Sequence, residues 1–372
     1  MLIKKIYHKD LQEFVMSGEY QKSAYLPISH IRGLSQAKNP KALPDDLVLV
    51  MIFENDEMQA YLGVLPDELH FIDEKGQLKK EHAGWLSCIW VNTEKRGKGY
   101  AATLIKKVFE AWDNRILATE FTPAAKALYD KSENFIDLSK PEGIRAYLKL
   151  NLSYLLISKN PEKWSKFKLL LNLTDSLANL FLKLRLLFIP KKKVNYNLVS
   201  EFDAEIEDFI KKHRDTNELT GRTIEDLKWI INNPWLKSTA KPDEESKRYH
   251  FSSVSDFFDF KIMKVYDAEN KLAAILLLSV RDKNLKIPYA YLRPDAEKIS
   301  IHAIEGFMRE QKMDMLTLFH PRLANAFRLY SSACFMIRKM KRHYIISKKF
   351  EADLAILKSI SIQDGDADAA FT

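Results

Sequence analysis

The sequence predicts an α/β protein in two halves, each a mixed, mostly antiparallel sheet with flanking helices, joined by a basic helical connector. Three observations carry this reading. An apolar run at 86–91 feeds a glycine-containing loop that opens a helical pattern at Tyr100. Part of that half is echoed 198 residues later. The excess of positive charge falls in the stretch between the two copies.

The first half is arranged around the loop. Leu86 to Val91 is apolar and partly β-branched, which reads as a buried strand. Asn92 to Gly99 is a polar turn holding Gly97, Gly99 and the cations Lys95, Arg96 and Lys98. From Tyr100 onward, Leu104, Ile105, Val108, Phe109 and Trp112 fall at helical spacing. A helix start leaves backbone N–H groups without partners at the positive end of the dipole. Glycines there let the chain turn sharply and let an anion approach with no Cβ in the way. The expected ligand is a phosphate or pyrophosphate. No Gly-Lys-Ser/Thr follows, so this is not a P-loop. Gly97, Gly99 and Ala102 do satisfy Gly-x-Gly-x-x-Ala, with Glu120 about 20 residues on, as a dinucleotide site would. That fingerprint belongs on a domain's first strand, whereas roughly 85 residues precede it here.

Arg96-x-x-Gly99-x-Ala101 is a better match to another pattern. It resembles the Arg/Gln-x-x-Gly-x-Gly/Ala signature of the GCN5-related N-acetyltransferase (GNAT) family. Further on, Phe121-Thr-Pro-Ala-Ala-Lys-Ala-Leu128-Tyr129 through Phe135 resembles that family's second motif, a strand end followed by a helix. The resemblance covers residues 1 to about 140. It implies acetyl-CoA as co-substrate, no metal, and direct attack of an amine on the thioester. On that resemblance Arg96, Gly97, Lys98, Gly99, Tyr100 and Ala101 hold the pyrophosphate. Backbone N–H groups around Ile89 and Val91 hold the thioester and pantetheine, and Tyr129 protonates the leaving thiolate. Many relatives carry a glutamate on the strand before the loop, but here that strand reads Gly84-Trp85-Leu86-Ser87-Cys88-Ile89. Glu120 or a water is left to act as base. Cys88 is a poor nucleophile candidate, having no histidine near it in sequence.

The elements before the loop fit the same order. Leu2 to Tyr7 reads as a strand, Leu11 to Met16 as a helix, and Leu47 to Phe53 as a strand. Asn55-Asp56 makes a turn, Ala60 to Val64 pairs back, and Phe71 to Gly76 is a further strand and turn. Two cysteines, Cys88 and Cys334, form no disulfide or metal pattern and point to a reducing cytoplasm. The opening lacks the apolar core of a signal peptide, and no spanning helix is predicted.

The net charge of +8 is uneven. Residues 1–144 hold 19 Lys/Arg and 21 Asp/Glu, residues 145–194 hold 11 and 2, and residues 195–372 hold 28 and 27. The basic stretch is also amphipathic. Asn172, Asp175, Ser176, Asn179 and Lys183 share one face, and leucines and phenylalanines from Trp164 to Leu187 fill a wide opposite face, closed by Pro190 and Lys191-Lys192-Lys193. Two readings stand: helices packed between domains with a solvated basic edge, or a basic amphipathic helix, 164–193, resting on an anionic membrane or an acidic partner. No specific nucleic acid is predicted.

In the second half Glu225 to Pro234 reads as a helix. Phe260 to Val265, Leu272 to Val280 and Lys286 to Leu292 read as strands, and Ile299 to Gln311 as a helix. Met315-Leu-Thr-Leu-Phe319-His-Pro321 repeats Leu117-Ala-Thr-Glu-Phe121-Thr-Pro123 in register at Phe and Pro. At that offset Pro294, Asp295 and Glu297 replace Arg96, Gly97 and Gly99, so the second copy should not hold a pyrophosphate. The expected division is 1–144 for a GNAT acetyl-CoA-binding domain, 145–194 for the connector, 195–350 for a degenerate copy, and a tail at 351–372 whose acidic end, from Asp364, is disordered. The function implied is N-acetyl transfer to a primary amine of a small molecule, amino sugar or peptide. The alternatives are a Fem-like aminoacyl transferase, which tandem copies and a basic connector also suit, and a non-catalytic CoA-binding or membrane-associated module.

Overall fold

The computed structural model describes residues 1–73 and 76–371. Glu74 and Lys75 of the turn expected at Phe71–Gly76, and Thr372 of the expected tail, lie outside them. The chain divides into two compact units. One is Met1–Pro141, Arg214–Asp259 and Arg342–Thr372; the other is Glu142–His213 and Phe260–Lys341.

In chain order the strands are β1 (Leu2–Tyr7), β2 (Leu47–Glu54), β3 (Glu57–Ile72), β4 (Leu78–Val91), β5 (Ile116–Ala118), β6 (Phe135–Ser139), β7 (Glu142–Tyr147) and β8 (Asn195–Val199). Then follow β9 (Lys237–Ser238), β10 (Val254–Ser255), β11 (Phe258–Tyr266), β12 (Leu272–Arg281), β13 (Asn284–Leu292), β14 (Met315–Leu318), β15 (Met336–Lys341) and β16 (Tyr344–Ser347). The first unit holds a seven-stranded mixed sheet in the order β1-β2-β3-β4-β5-β16-β6. The second holds another, β15-β7-β14-β13-β12-β11-β8. Each sheet includes a parallel pair, β4 with β5 and β13 with β14. The expected α/β class with two mixed sheets and flanking helices is what the chain forms.

Local sequence explains the elements. Asn55 and Asp56 both take left-handed φ, at 50° and 63°, in a two-residue hairpin between β2 and β3. Asn and Asp tolerate that conformation, and its twist suits paired strands. β2 is apolar from Leu47 to Phe53 because both faces are covered. Val50 and Ile52 pack with Leu104, Ile105 and Val108 of the helix Tyr100–Ala111. Leu49 and Met51 pack with Leu11 and Val15 of the helix His8–Met16. In the second unit Ile301, Ile304 and Phe307 of the helix Glu297–Glu310 cover Leu276 and Leu278 of β12. The echo is structural as well. The helices Pro123–Ser132 and Pro321–Tyr330 begin 198 residues apart, each capped by the residue before its proline.

Three features differ from the sequence reading. First, the boundaries at 144, 194 and 350 do not match the observed division. β7 follows β6 in sequence yet pairs in the second sheet between β14 and β15. β16 follows β15 yet pairs in the first sheet between β5 and β6. Each copy thus completes the other copy's sheet. Pro141, with fixed φ and no N–H, keeps the link after β6 extended, so β7 does not fold back as a hairpin. Second, the basic connector belongs to the second unit.

Third, the acidic end is ordered and buried. Phe371 is 1% exposed and stacks on Trp235 at 4.3 Å, and Asp366 is fully buried. Thr220 Oγ1 donates to Asp366 at 2.6 Å, and Gln363 Nε2 donates to Glu218 at 2.9 Å. Arg342 holds Asp364 through both its carboxylate and its carbonyl. An acidic run is normally disordered because it buries too little apolar surface. Here aromatic rings anchor its end and buried cations meet its charge.

Burial has a cost at two of these carboxyls. Desolvation pushes Glu218 up to about 7, with Gln363 opposing and Asp366 adding, and Asp366 up to about 6, with Arg222 opposing. Both bind a proton more tightly folded than unfolded, where their ordinary values are 4.5 and 3.8. Their contribution to stability is therefore complete below about pH 4 and is lost as the pH rises through about 6 to 7. Glu218→Gln keeps the hydrogen bond from Gln363 and removes the titration. Its unfolding free energy should lie close to the wild type's at pH 5 and exceed it at pH 8, the gap growing by on the order of 1 kcal/mol per pH unit crossed, with a higher melting temperature at pH 8. Parallel melting curves for the two proteins across that range would contradict the assignment.

Candidate active site

The site begins where β4 outruns β5. The two pair only at Gly84–Ile116 and Trp85–Leu117. Residues 86–91 continue with β3 alone on their other side, and β5 ends at Ala118. Within that run the register against β3 slips: Leu62 faces Ile89 while Gly63 faces Ser87, leaving Cys88 as the extra residue of a bulge. A bulge bends its strand and re-aims the side chains after it. Leu86, Ile89 and Val91 consequently reach the same core cluster, while Cys88 and Trp90 reach the opposite one. The backbone of Ile89 and Val91 lies in the opened stretch.

Beyond β4 the chain turns through Gly97 and Gly99, both at φ 84°. A side chain at either would find open space but an unfavourable backbone, so φ is what demands glycine. Gly99 is the residue before the helix Tyr100–Ala111 and offers no side-chain cap. The first N–H groups of that helix have no carbonyl of their own turn to bond. The loop is pinned from below: Tyr100 donates its hydroxyl to Glu54, which also accepts Lys95 Nζ at 3.1 Å. Those two hydrogen bonds, Tyr100's the stronger, hold the Glu54 carboxyl below its usual value. Arg96 and Lys98 are exposed and enter no ion pair among the described residues. The loop and helix start line a cavity of about 640 Å³, with Val91 at one side and Lys106, Leu128 and Lys131 at the other. Arg96, Gly97, Gly99, Tyr100, Ala101 and Val91 are thus brought together around one space.

Tyr129 sits on the helix Pro123–Ser132, 4% exposed, with its ring against Phe121 and Phe135. No side-chain hydrogen bond occupies its hydroxyl among the described residues. Burial raises its pKa above the ordinary value, and the nearby Asp368 and Cys88 add to the effect. Glu120 is elsewhere engaged. It has a left-handed φ of 51°, and its carboxylate pairs with the buried Arg342 at 2.7 Å.

The structure adds residues that the sequence did not mark. Arg32, on the helix His30–Gln36, is buried with its guanidinium 3.8 Å above the Trp235 ring. It donates to Ser87 Oγ and, at 2.7 Å, to Cys88 Sγ, which also meets the Tyr249 hydroxyl at 3.3 Å. Ser87 Oγ in turn donates to Asp368 Oδ2 at 2.5 Å, and Arg32 lies 3.8 Å from that oxygen. Asp368 is the half-exposed member of the buried C-terminal segment, with a side chain 26% exposed. It stands at the bulge, roughly 13 Å along β4 from Val91. Nothing local in the sequence ties Arg32, Tyr249 or Asp368 to β4; they converge through long-range packing.

In the second unit two carboxylates stand at the matching turn. Asp295 keeps the left-handed φ, 60°, of Gly97. Glu297 takes the place of Gly99 and pairs with Arg322 at 2.6 Å, whose guanidinium also reaches the Arg293 carbonyl.

Comparison with known proteins agrees with this geometry. Residues 9–135 match the model of the acetyltransferase (GNAT) family. No curated protein matches the chain. Among solved structures, N-myristoyltransferase of Saccharomyces cerevisiae with bound myristoyl-CoA superposes with a TM-score of 0.51 at 10% identity, over 93% of this chain and 83% of that one. A conserved protein of unknown function from Enterococcus faecalis V583, described as a probable N-acyltransferase, gives 0.48 at 12% identity, over 93% and 72%. A GCN5-related N-acetyltransferase from Kribbella flavida gives 0.48 at 11%, over 92% and 70%. The strand, glycine loop and helix described above lie inside the segment that matches this family's model.

Proposed function

We propose that the first unit transfers an acetyl group from acetyl-CoA to a primary amine of a small molecule, amino sugar or peptide. The observation that carries this reading is the pair of left-handed glycines at a helix start, in the wall of a cavity of about 640 Å³ rimmed by Lys95, Arg96, Lys106 and Lys131. Unpaired N–H groups, a helix dipole and mobile cations suit the pyrophosphate of CoA. The pantetheine arm then runs along the unpaired edge of β4, past Val91 and Ile89, and brings the thioester toward the bulge. The fold shared with N-myristoyltransferase, whose structure holds myristoyl-CoA, supports an acyl-CoA donor.

The amine nitrogen bonds to the thioester carbon, the carbon–sulfur bond breaks, and the sulfur leaves as thiolate. Positioning of the two reactants supplies most of the rate. Tyr129 gives its phenolic proton to the thiolate, and its free hydroxyl supports that part. Asp368 takes the proton released by the attacking nitrogen. It is chosen over Glu120 because it stands at the bulge of β4, where Ser87 donates to it, whereas the Glu120 carboxylate is held by Arg342.

Calorimetry should find one acetyl-CoA site per chain, since Glu297 and Asp295 bar the second turn. Gly99→Asp, which places bulk and negative charge at the loop, should abolish that binding with little change in melting temperature. A folded Gly99→Asp protein that binds normally, or a second site in the wild type, would overturn the loop assignment.

Tyr129→Phe and Asp368→Asn test the chemistry apart from binding. Each should lower kcat by roughly 10²-fold on an accepted amine while acetyl-CoA affinity is kept. An Asp368→Asn enzyme with unchanged kcat and pH profile would remove Asp368 from the mechanism. The same result for Tyr129→Phe would remove the tyrosine.

A further inference from the structure

The helix Lys168–Phe188, in the second unit, is turned against its composition. Asp175 and Asn179 are turned inward, while Asn172, Thr174, Ser176 and Lys183 of the same helix are exposed. Asp175 is 8% exposed, and its carboxylate accepts the backbone N–H groups of Leu152 at 2.7 Å and Ser153 at 2.9 Å, capping the helix Leu152–Lys159. Asn179 exchanges two hydrogen bonds of 2.8 Å with the backbone of Leu150. With this face spent on capping, the leucine stripe is left outside. Leu169, Leu173, Leu177, Phe181, Leu184 and Phe188 lie within one arc of the helix and are 49% to 86% exposed. The stripe is about 32 Å long.

We propose that this helix lies in the surface of an anionic lipid membrane and docks the protein there. Charge complementarity chooses the occupant. Residues 145–194 carry 11 Lys/Arg against 2 Asp/Glu, and Asp175, the only acid on the helix, is turned away from solvent. Lys166 and Lys168 stand at one end of the stripe and Lys191, Lys192 and Lys193 at the other, all exposed. Cations flanking a leucine- and phenylalanine-rich face match the headgroup and acyl layers of an anionic interface. Among the described residues no helix is long and apolar enough to cross a membrane, so the contact is with one leaflet. An RNA partner fits less well, since the stripe has neither polar groups for base edges nor cations interleaved with its aromatics. This inference is independent of the acyl-transfer reading.

Vesicle flotation tests it. The full-length protein should float with vesicles of phosphatidylcholine and 30% phosphatidylglycerol, largely detach in 0.5 M salt, and remain unbound on pure phosphatidylcholine. Leu177→Glu with Phe181→Glu should reduce flotation at least tenfold, and Lys191, Lys192 and Lys193→Gln should weaken it severalfold. Both sets of sites are exposed, so melting temperatures should stay near the wild type. No flotation of the wild type, equal flotation of the glutamate variant, retention by single-stranded RNA in place of vesicles, or a dimer in light scattering that the glutamate pair dissolves without any vesicle binding would overturn the proposal.

Discussion

The first unit depends on one constraint: β4 is paired on both sides for only part of its length. After Trp85 its β5 edge is open, and three residues later the bulge at Cys88 turns the strand's faces. A strand with an open edge offers backbone donors and acceptors, which ordinarily invites association with another strand. Here the end of that edge leads into a helix start whose own N–H groups also lack partners, so one continuous wall of unpaired backbone is presented to a ligand. The Arg32 cluster holds the bulge in place. A guanidinium buried against Trp235 needs acceptors, and Ser87, Cys88 and Asp368 provide them. The C-terminal segment is thereby tied to the bulge of β4.

The two copies show what a glycine loop requires. Both turns place a left-handed residue at the same offset, Gly97 and Asp295, and both lead into a helix. They differ in charge and bulk at both glycine positions and in backbone at the second. Gly99 leaves space with no Cβ contact, while Glu297 fills it and spends its charge on Arg322. The left-handed residue is kept at the first position only: Gly99 is left-handed ahead of its helix, whereas Glu297 is already the first residue of its own.

Much of this was legible from the residues. The strand–loop–helix at 86–112, the hairpin at Asn55-Asp56 and the repeat at Phe121 and Phe319 are local patterns with local causes, and each is present. The exchange of β7 and β16 was not legible, because a strand's sequence reports burial on its faces and not which neighbour it pairs with. The acidic stretch from Asp364 looked unable to bury itself, and only the distant Arg342, Arg222 and Trp235 make it able to. The helix Lys168–Phe188 was correctly amphipathic. Which face met solvent depended on Asp175 and Asn179 finding unpaired backbone at Leu150 to Ser153, a tertiary fact. Asp368 stayed hidden for the same reason: its neighbour Ser87 is 281 residues away in sequence.

The central claim is that an anionic ligand is held by backbone at the first glycine loop and not at its counterpart. Amide hydrogen exchange with and without acetyl-CoA measures this at each turn. The account predicts strong protection over 95–106 and along 88–91, with no change over 293–298. Unchanged exchange at 95–106 under saturating acetyl-CoA, or equal protection at 293–298, would contradict it.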